Sequence, residues 1–220
     1  MPHPAGERSA YHHGQLRAAL IATATEQSRV GGPEAVVLRE AARRLGVSPA
    51  AAYRHFRDRD ALLLAVRTRA LALLAQRMRE EDARSVAKSA SPADSALGRF
   101  RALGRAYVAF AVTDPGLFRA LNIAPGAGTQ PPALPPDGDP FHLLVDALDR
   151  LVDTGVLQAK DRVNADAVAW AAVHGLSVLL LDGLLPRSDI GNPPPKDDGN
   201  GDALLDRLLD VIALGLLPRT

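Results

Sequence analysis

The 220-residue sequence contains no cysteine, which excludes disulfides and thiolate metal sites. Aromatic residues make up only 4%, and nowhere do they alternate with β-branched residues in the period-2 pattern of a strand. No apolar run approaches the ~18 residues that a membrane-spanning helix needs, and the N-terminus has no apolar signal core. A soluble, cytoplasmic, all-α protein is therefore expected. Lysine is scarce too: 3 of the 26 basic residues, the rest being Arg, which reads as coding bias rather than function. What is present is aliphatic bulk. At 47% hydrophobic, the chain can bury a sizeable core and hold one small and one larger domain.

The net charge of +1 becomes informative when divided. Residues 1–60 hold nine Arg against six acidic residues and four of the six His, whereas residues 61–220 hold seventeen basic against nineteen acidic residues. A modestly basic head on a slightly acidic body has the sign expected of a nucleic-acid-facing head and a self-associating body.

The segment from Leu38 to Leu64 carries the strongest local signals. Leu38, Ala41, Ala42 and Leu45 fall at i, i+3, i+4, i+7, one face of a helix, with Glu40, Arg43 and Arg44 on the other. Gly46 tolerates the positive φ that ends a helix sharply, and Val47 plugs the turn. Ser48 can cap the next helix, and Pro49 suits its first position because no N–H is left unpaired there. Ala50, Ala51 and Ala52 keep that helix thin near its N-terminus. Tyr53 and Phe56, three apart, divide between surface and core, and Asp58 caps a further helix starting near Arg59. Two short helices joined by a tight turn can present the second, end-first, to the major groove of DNA.

The run Gly46-Val47-Ser48-Pro49, then Tyr53-Arg54-His55-Phe56 and Asp58-Arg59-Asp60-Ala61-Leu62-Leu63, resembles the DNA-binding domain of the TetR family of bacterial transcriptional regulators. Tyr11-His12-His13-Gly14-Gln15-Leu16-Arg17 at the entry and Gly31-Gly32-Pro33-Glu34 at the end of the first helix extend the likeness, which is specific over roughly residues 11–66. Further on, Trp170-Ala-Ala-Val-His-Gly-Leu176 resembles the Trp-His-Gly segment of one C-terminal branch of that family. Two positions depart from the pattern. Val37 stands where Ser or Thr usually caps the helix at Leu38, a loss of about 1 kcal/mol. Ala41 stands where a larger aliphatic residue is common, so the head should lean on later parts of the chain.

The resemblance implies an N-terminal three-helix helix-turn-helix DNA-binding domain at 1–60, with 1–10 a flexible arm, and a helical ligand-binding and dimerisation domain at 61–220. It implies DNA contacts by Arg39, through base or phosphate unless it is simply solvated, since a guanidinium can grip guanine O6 and N7. Ser48, Pro49, Ala50 and Ala51 would form the front of the recognition helix, reading shape and thymine methyls. Tyr53, His55 and Arg59 would bind phosphate, Arg59 aided by a helix N-terminus, and Arg54 would do so or be solvated. Tyr11, His12 and His13 are either an arm along the duplex or a tail.

The remainder reads as helices near 59–83, 95–113, 117–121, 141–154, 164–181 and 203–217. Pro- and Gly-rich loops separate them at 124–140 and 186–201, and Asp202 caps the last helix. The helices at 165–185 and 203–217 are apolar on most sides and must be covered on most sides. Either they are internal core or, as the resemblance favours, Trp170, Leu176, Leu180, Leu205, Leu209 and Ile212 pack against a second copy in a homodimer. Such a dimer sets two reading helices ~34–36 Å apart for a near-palindromic operator. The aromatics Phe100, Tyr107, Phe110, Phe118 and Phe141 are candidates for lining a pocket for an apolar or amphipathic small-molecule effector, though such residues are more often plain core than ligand wall.

No catalytic constellation, metal site or cofactor is expected. His12-His13 lacks a third ligand at helical spacing, His174 reads as a hydrogen-bonded core histidine, and the Gly runs 31–32 and 126–128 lack the context that cradles phosphate. The implied function is a dimeric repressor released from DNA by a ligand. The alternatives are a repressor with no small-molecule pocket, constitutive or controlled by a protein partner, and a degenerate enzyme or carrier body with a DNA-binding head.

Overall fold

The computed structural model describes residues 5–86, 91–124, 134, 138–185 and 203–216, with side chains from Gln15 onward except those of residues 203, 214 and 216. Among these residues the fold is all-α, with no strand: α1 (Ala5–Gly31), α2 (Leu38–Arg44), α3 (Pro49–Tyr53), α4 (Arg59–Val86), α5 (Pro92–Thr113), α6 (Pro115–Leu121), α7 (Pro140–Asp153), α8 (Ala165–Leu181) and α9 (Ala203–Leu216). Short 3₁₀ turns lie at Pro33–Ala35 and Ala159–Arg162. Residues 5–10, read from the sequence as an arm, are the first turns of α1; the side chains of Tyr11, His12 and His13, the loop at 186–201 and the cap at Asp202 lie outside the described residues.

The helix boundaries follow local chemistry. α5 begins earlier than its apolar periodicity suggests because the Ser91 hydroxyl accepts from Asp94 N–H at 3.1 Å and Pro92 takes the first position. Pro115 and Gly116 likewise open α6 instead of breaking the chain before it. Asp139 caps α7 by accepting from Phe141 N–H at 2.9 Å. Asn164 precedes α8 but makes no side-chain cap; it sits at φ 60° in the left-handed region, which Asn tolerates better than most residues.

The described residues form two compact units. The first contains α1, α2, α3, α4 as far as Ala70, and α6; the second contains α4 from Leu71, α5, α7, α8 and α9. The helix-turn-helix unit thus extends past residue 60, because α4 runs on without a break and α6 packs on α1. Its core joins Leu20, Ala24, Val36, Leu38, Phe56, Leu62 and Val66 to Ala120, with Ile123 packed alongside. The small domain with Ala41 in its core is therefore supported by a helix from much later in the chain. The core of the second unit gathers Phe100, Leu144, Leu148, Leu151, Leu157, Ala169 and Ile212.

That core corrects one expectation. Leu176, Leu180, Leu205, Leu209 and Ile212 are buried within this single chain, so they are not a surface awaiting a second copy; Trp170 is half-buried. Among the described side chains, the large apolar residues left outside on these helices are Val168 (55% exposed) and Leu179 (42%) on α8 and Val211 (52%) on α9. A helix apolar all round does not reveal from sequence which arc turns inward.

Candidate nucleic-acid interface

The turn between α2 and α3 is built by backbone hydrogen bonds that only a positive φ at its corner permits. Gly46 has φ 67°, Val47 N–H donates to Ala42 C=O at 3.0 Å, and Gly46 N–H donates to Arg43 C=O at 3.1 Å. This pair of bonds is the Schellman end of α2. Ser48 then caps α3, its Oγ accepting from Ala51 N–H at 3.2 Å, with Pro49 in the first position. At the other end of α2, Val37 makes no side-chain cap. Its N–H instead donates to Gln27 Oε1 on α1 at 3.3 Å, a long bond that ties the uncapped end to the first helix.

Ala52 of α3 and Phe56 just after it are buried, whereas Ser48, Pro49, Ala50, Tyr53 and Arg54 are exposed and Ala51 and His55 half-exposed. The Arg17 guanidinium lies 5.1 Å over the Phe56 ring, closing the underside of the motif by a cation–π contact. Arg39, on the first turn of α2, is exposed and without an ion pair among the described residues, as is Arg54. Arg43 and Arg44 by contrast both donate to Glu40. Hydrogen bonds from Arg43 first and Arg44 second hold the Glu40 carboxyl down at about 2. The result is a thin, small-residue helix end flanked by Arg39 and Tyr53, with the neighbouring guanidinia partly neutralised.

Arg59 has a role the sequence did not disclose. Its Nε donates to Val36 C=O at 2.9 Å and its Nη2 to Pro33 C=O at 2.7 Å, pinning the link between α1 and α2. Two of its donor groups are therefore committed to backbone, 23 and 26 residues away, rather than free for phosphate. Asp58 caps α4 as expected, accepting from Ala61 N–H at 2.7 Å.

The second unit holds an apolar cavity lined by residues of α4, α5, α7, α8 and α9, among them Met78, Phe100, Leu103, Tyr107, Trp170 and Leu209. Of the five aromatic candidates, Phe100 and Tyr107 line it. Phe110 is buried beneath the Arg77 guanidinium, which lies 5.2 Å over its ring, Phe118 belongs to the first unit, and Phe141 is exposed with its ring edge toward Trp170. Aromatic identity alone did not distinguish wall from core. Tyr107 is the polar group on an otherwise aliphatic and aromatic wall. Its hydroxyl is hydrogen-bonded to His174 Nδ1 at 2.8 Å, with the Trp170 ring edge-on at 5.1 Å. Burial raises the Tyr107 hydroxyl and lowers His174, favouring the uncharged form of each. His174 is thus the hydrogen-bonded histidine its apolar helix suggested. No group of three or more His, Cys, Asp or Glu among the described residues could hold a metal, and no described helix is long and apolar enough to cross a membrane.

A glycine-cornered turn followed by a Ser48-capped short helix with an exposed, small-residue front is the geometry of a helix-turn-helix DNA-binding motif. Residues 20–66 match the family described as "Bacterial regulatory proteins, tetR family", and residues 100–212 match "Tetracyclin repressor-like, C-terminal domain". The chain belongs to the TetR family of DNA-binding transcriptional regulators, whose members are regulators rather than enzymes. The matched C-terminal family is a different one from the Trp-His-Gly branch that residues 170–176 resemble.

Among solved structures, a protein of unknown function from Rhodococcus sp. RHA1 is 32% identical with a TM-score of 0.70, over 94% of this chain and 98% of its own. A TetR family transcription regulator from Marinobacter aquaeolei VT8 is 16% identical with a TM-score of 0.57, over 96% of this chain and 100% of its own. RolR in complex with resorcinol is 18% identical with a TM-score of 0.58, over 96% of this chain and 98% of its own. The latter two share the fold. No curated protein matches the sequence.

Proposed function

We propose that this chain is a dimeric repressor that binds a near-palindromic operator through α3 and is released by a small apolar or amphipathic molecule. One observation carries the DNA-reading part: the Ser48-capped α3 presents Pro49, Ala50 and Tyr53 outward beside Arg39, which has no ion pair among the described residues. Small residues allow close approach to base edges and thymine methyls, Arg39 supplies a bidentate donor, and the Tyr53 hydroxyl supplies a phosphate contact. Arg54 and His55 extend the phosphate-facing edge, while Arg59 acts mainly by holding the α1–α2 link.

Self-association is supported by the uncovered apolar arcs of α8 and α9. Val168, Ala171, Gly175 and Leu179 lie on one exposed stripe of α8, and Val211 and Gly215 on one of α9. A Cβ at Gly175 or Gly215 would meet nothing within 4 Å, leaving room for a partner helix to approach closely. Ligand control is supported by the apolar cavity and by the fold shared with RolR, whose structure holds resorcinol. Such a ligand weakens operator binding only by its differential affinity for the two states.

A second reading, control without any small molecule, is favoured by the tightness of that cavity. Its free volume is ≈ 20 Å³, room for about one water molecule, and Leu209 fills the space above Gly104. Selection of bound fragments from the source genome tests the proposal. Recovery of one or a few near-palindromic sites supports it, and enrichment of none contradicts it.

A further inference from the structure

Beside the apolar cavity lies a polar cleft with a free volume of ≈ 70 Å³, and Leu103 lines both. The cleft is formed by α4, α5 and α7, and its charged residues are Arg79, Asp82, Arg99, Asp146 and Arg150. Arg99 is already satisfied: Nε and Nη2 donate to the two oxygens of Asp82, each at 2.7 Å. Arg79 and Arg150 have no ion pair or side-chain hydrogen bond among the described residues, and neither has Asp146. Three guanidinia against two carboxylates leave one positive charge, and Asp146, four residues before Arg150 on α7, opposes any dianion. Met78 on α4, Leu103 on α5 and Leu144 on α7 come from the same three helices and line the apolar side.

Resting on the ligand-controlled reading above, we propose that the effector is a monoanionic organic acid. Its carboxylate is held by Arg79 and Arg150 in the cleft, and its apolar part passes Leu103 into the cavity walled by Phe100, Tyr107 and Trp170. The charge-assisted, two-point grip of Arg on a carboxylate supplies orientation. The closed apolar side supplies the discrimination between states, since the acid binds only where the Leu103 partition and the Leu209 side chain have moved aside.

Trp170 is the sole tryptophan and reports directly from the cavity wall. Decanoate, decan-1-ol and decyl phosphate are titrated into the full-length protein while Trp170 emission is followed. The same titrations are run on an Arg79→Gln/Arg150→Gln double variant, whose exposed positions leave the fold intact. Decanoate is expected to give a saturable change and to bind at least ~10-fold more weakly to the variant, the loss of charge-assisted hydrogen bonds. Decan-1-ol is expected to bind both proteins alike, and decyl phosphate to bind the wild type no better than decanoate. The proposal is overturned if the variant keeps full decanoate affinity, if the alcohol equals the acid in the wild type, if the phosphate binds more tightly than decanoate, or if decanoate gives no saturable change. Operator binding in the same preparation separates the outcomes. A protein that binds its operator but ignores the acid loses only this effector class, whereas one that binds no DNA loses the regulator reading itself.

Discussion

Arg29 Nε donates to Asp114 Oδ1 at 2.8 Å, fastening α1 to the start of α6 across 85 residues. The crossing is tight as well as charged: Ser28 Oγ donates to Gly116 C=O at 3.3 Å, and a Cβ on Gly116 would run into the Ser28 and Arg29 carbonyls. Thr113, the last residue of α5, directly precedes Asp114 in the chain. Gly116→Ala should lower stability by roughly 1–3 kcal/mol, the usual cost of overpacking. Asp114→Ala should cost about 1 kcal/mol, because Arg29 is part-exposed and keeps Glu26 as a partner. Thermal unfolding of both variants checks the order; equal melting temperatures for Gly116→Ala and wild type would show the crossing to be slack.

Val37 occupies the N-cap position of α2 with φ −130° and ψ 115° and offers no side-chain acceptor. The backbone is already in the extended region that Ser or Thr needs in order to cap. Val37→Thr should therefore raise stability by about 0.5–1 kcal/mol, read as a higher denaturant midpoint with an unchanged slope. A lower midpoint would show that a threonine hydroxyl does not cap α2 here.

The punctuation of the DNA-reading motif was legible because it is local. Gly46, Ser48, Pro49 and Asp58 act within three or four residues of themselves, and the structure uses each as its chemistry dictates. What was not legible depends on distant partners. Arg59 answers carbonyls more than twenty residues upstream, and Phe118 joins the first unit because α6 folds back onto α1. The inward arc of α8 was hidden for a different reason, since Leu176 and Leu179 are both aliphatic and only packing tells the buried one from the exposed one.

That distinction separates two classes of substitution. If the proposed dimer forms through the exposed arcs, Leu179→Asp or Val211→Asp should leave single chains in sedimentation equilibrium while helicity is retained. Leu209→Ala, fully inside the second unit, should instead destabilise the chain by about 2–5 kcal/mol. A Leu179→Asp protein that remains a dimer places the interface elsewhere.

Acid should weaken α2 in a defined window. The Glu40 carboxyl, ordinarily near 4.5, is held down at about 2 by Arg43 and Arg44. A group whose folded value is depressed contributes stability above its unfolded value and loses it as pH falls through the folded one. The difference in melting temperature between wild type and Glu40→Gln should therefore be constant above pH 5 and shrink between about pH 4.5 and 2. A difference that does not change across that range would show that Arg43 and Arg44 do not hold the carboxylate in solution.

Footprinting of the recovered operator by wild type, Arg39→Ala and Tyr53→Ala, at several salt concentrations, asks whether α3, with Tyr53 at its end and Arg39 on α2, reads duplex DNA. Two protected half-sites are expected about 10–10.5 base pairs apart centre to centre, or a multiple of that. Affinity should fall steeply with salt and both variants should lose the footprint, with unfolding transitions unchanged because both side chains are exposed. Variants that protect the site as fully as wild type, or a wild-type protein with no preference for any duplex, would contradict that role for α3.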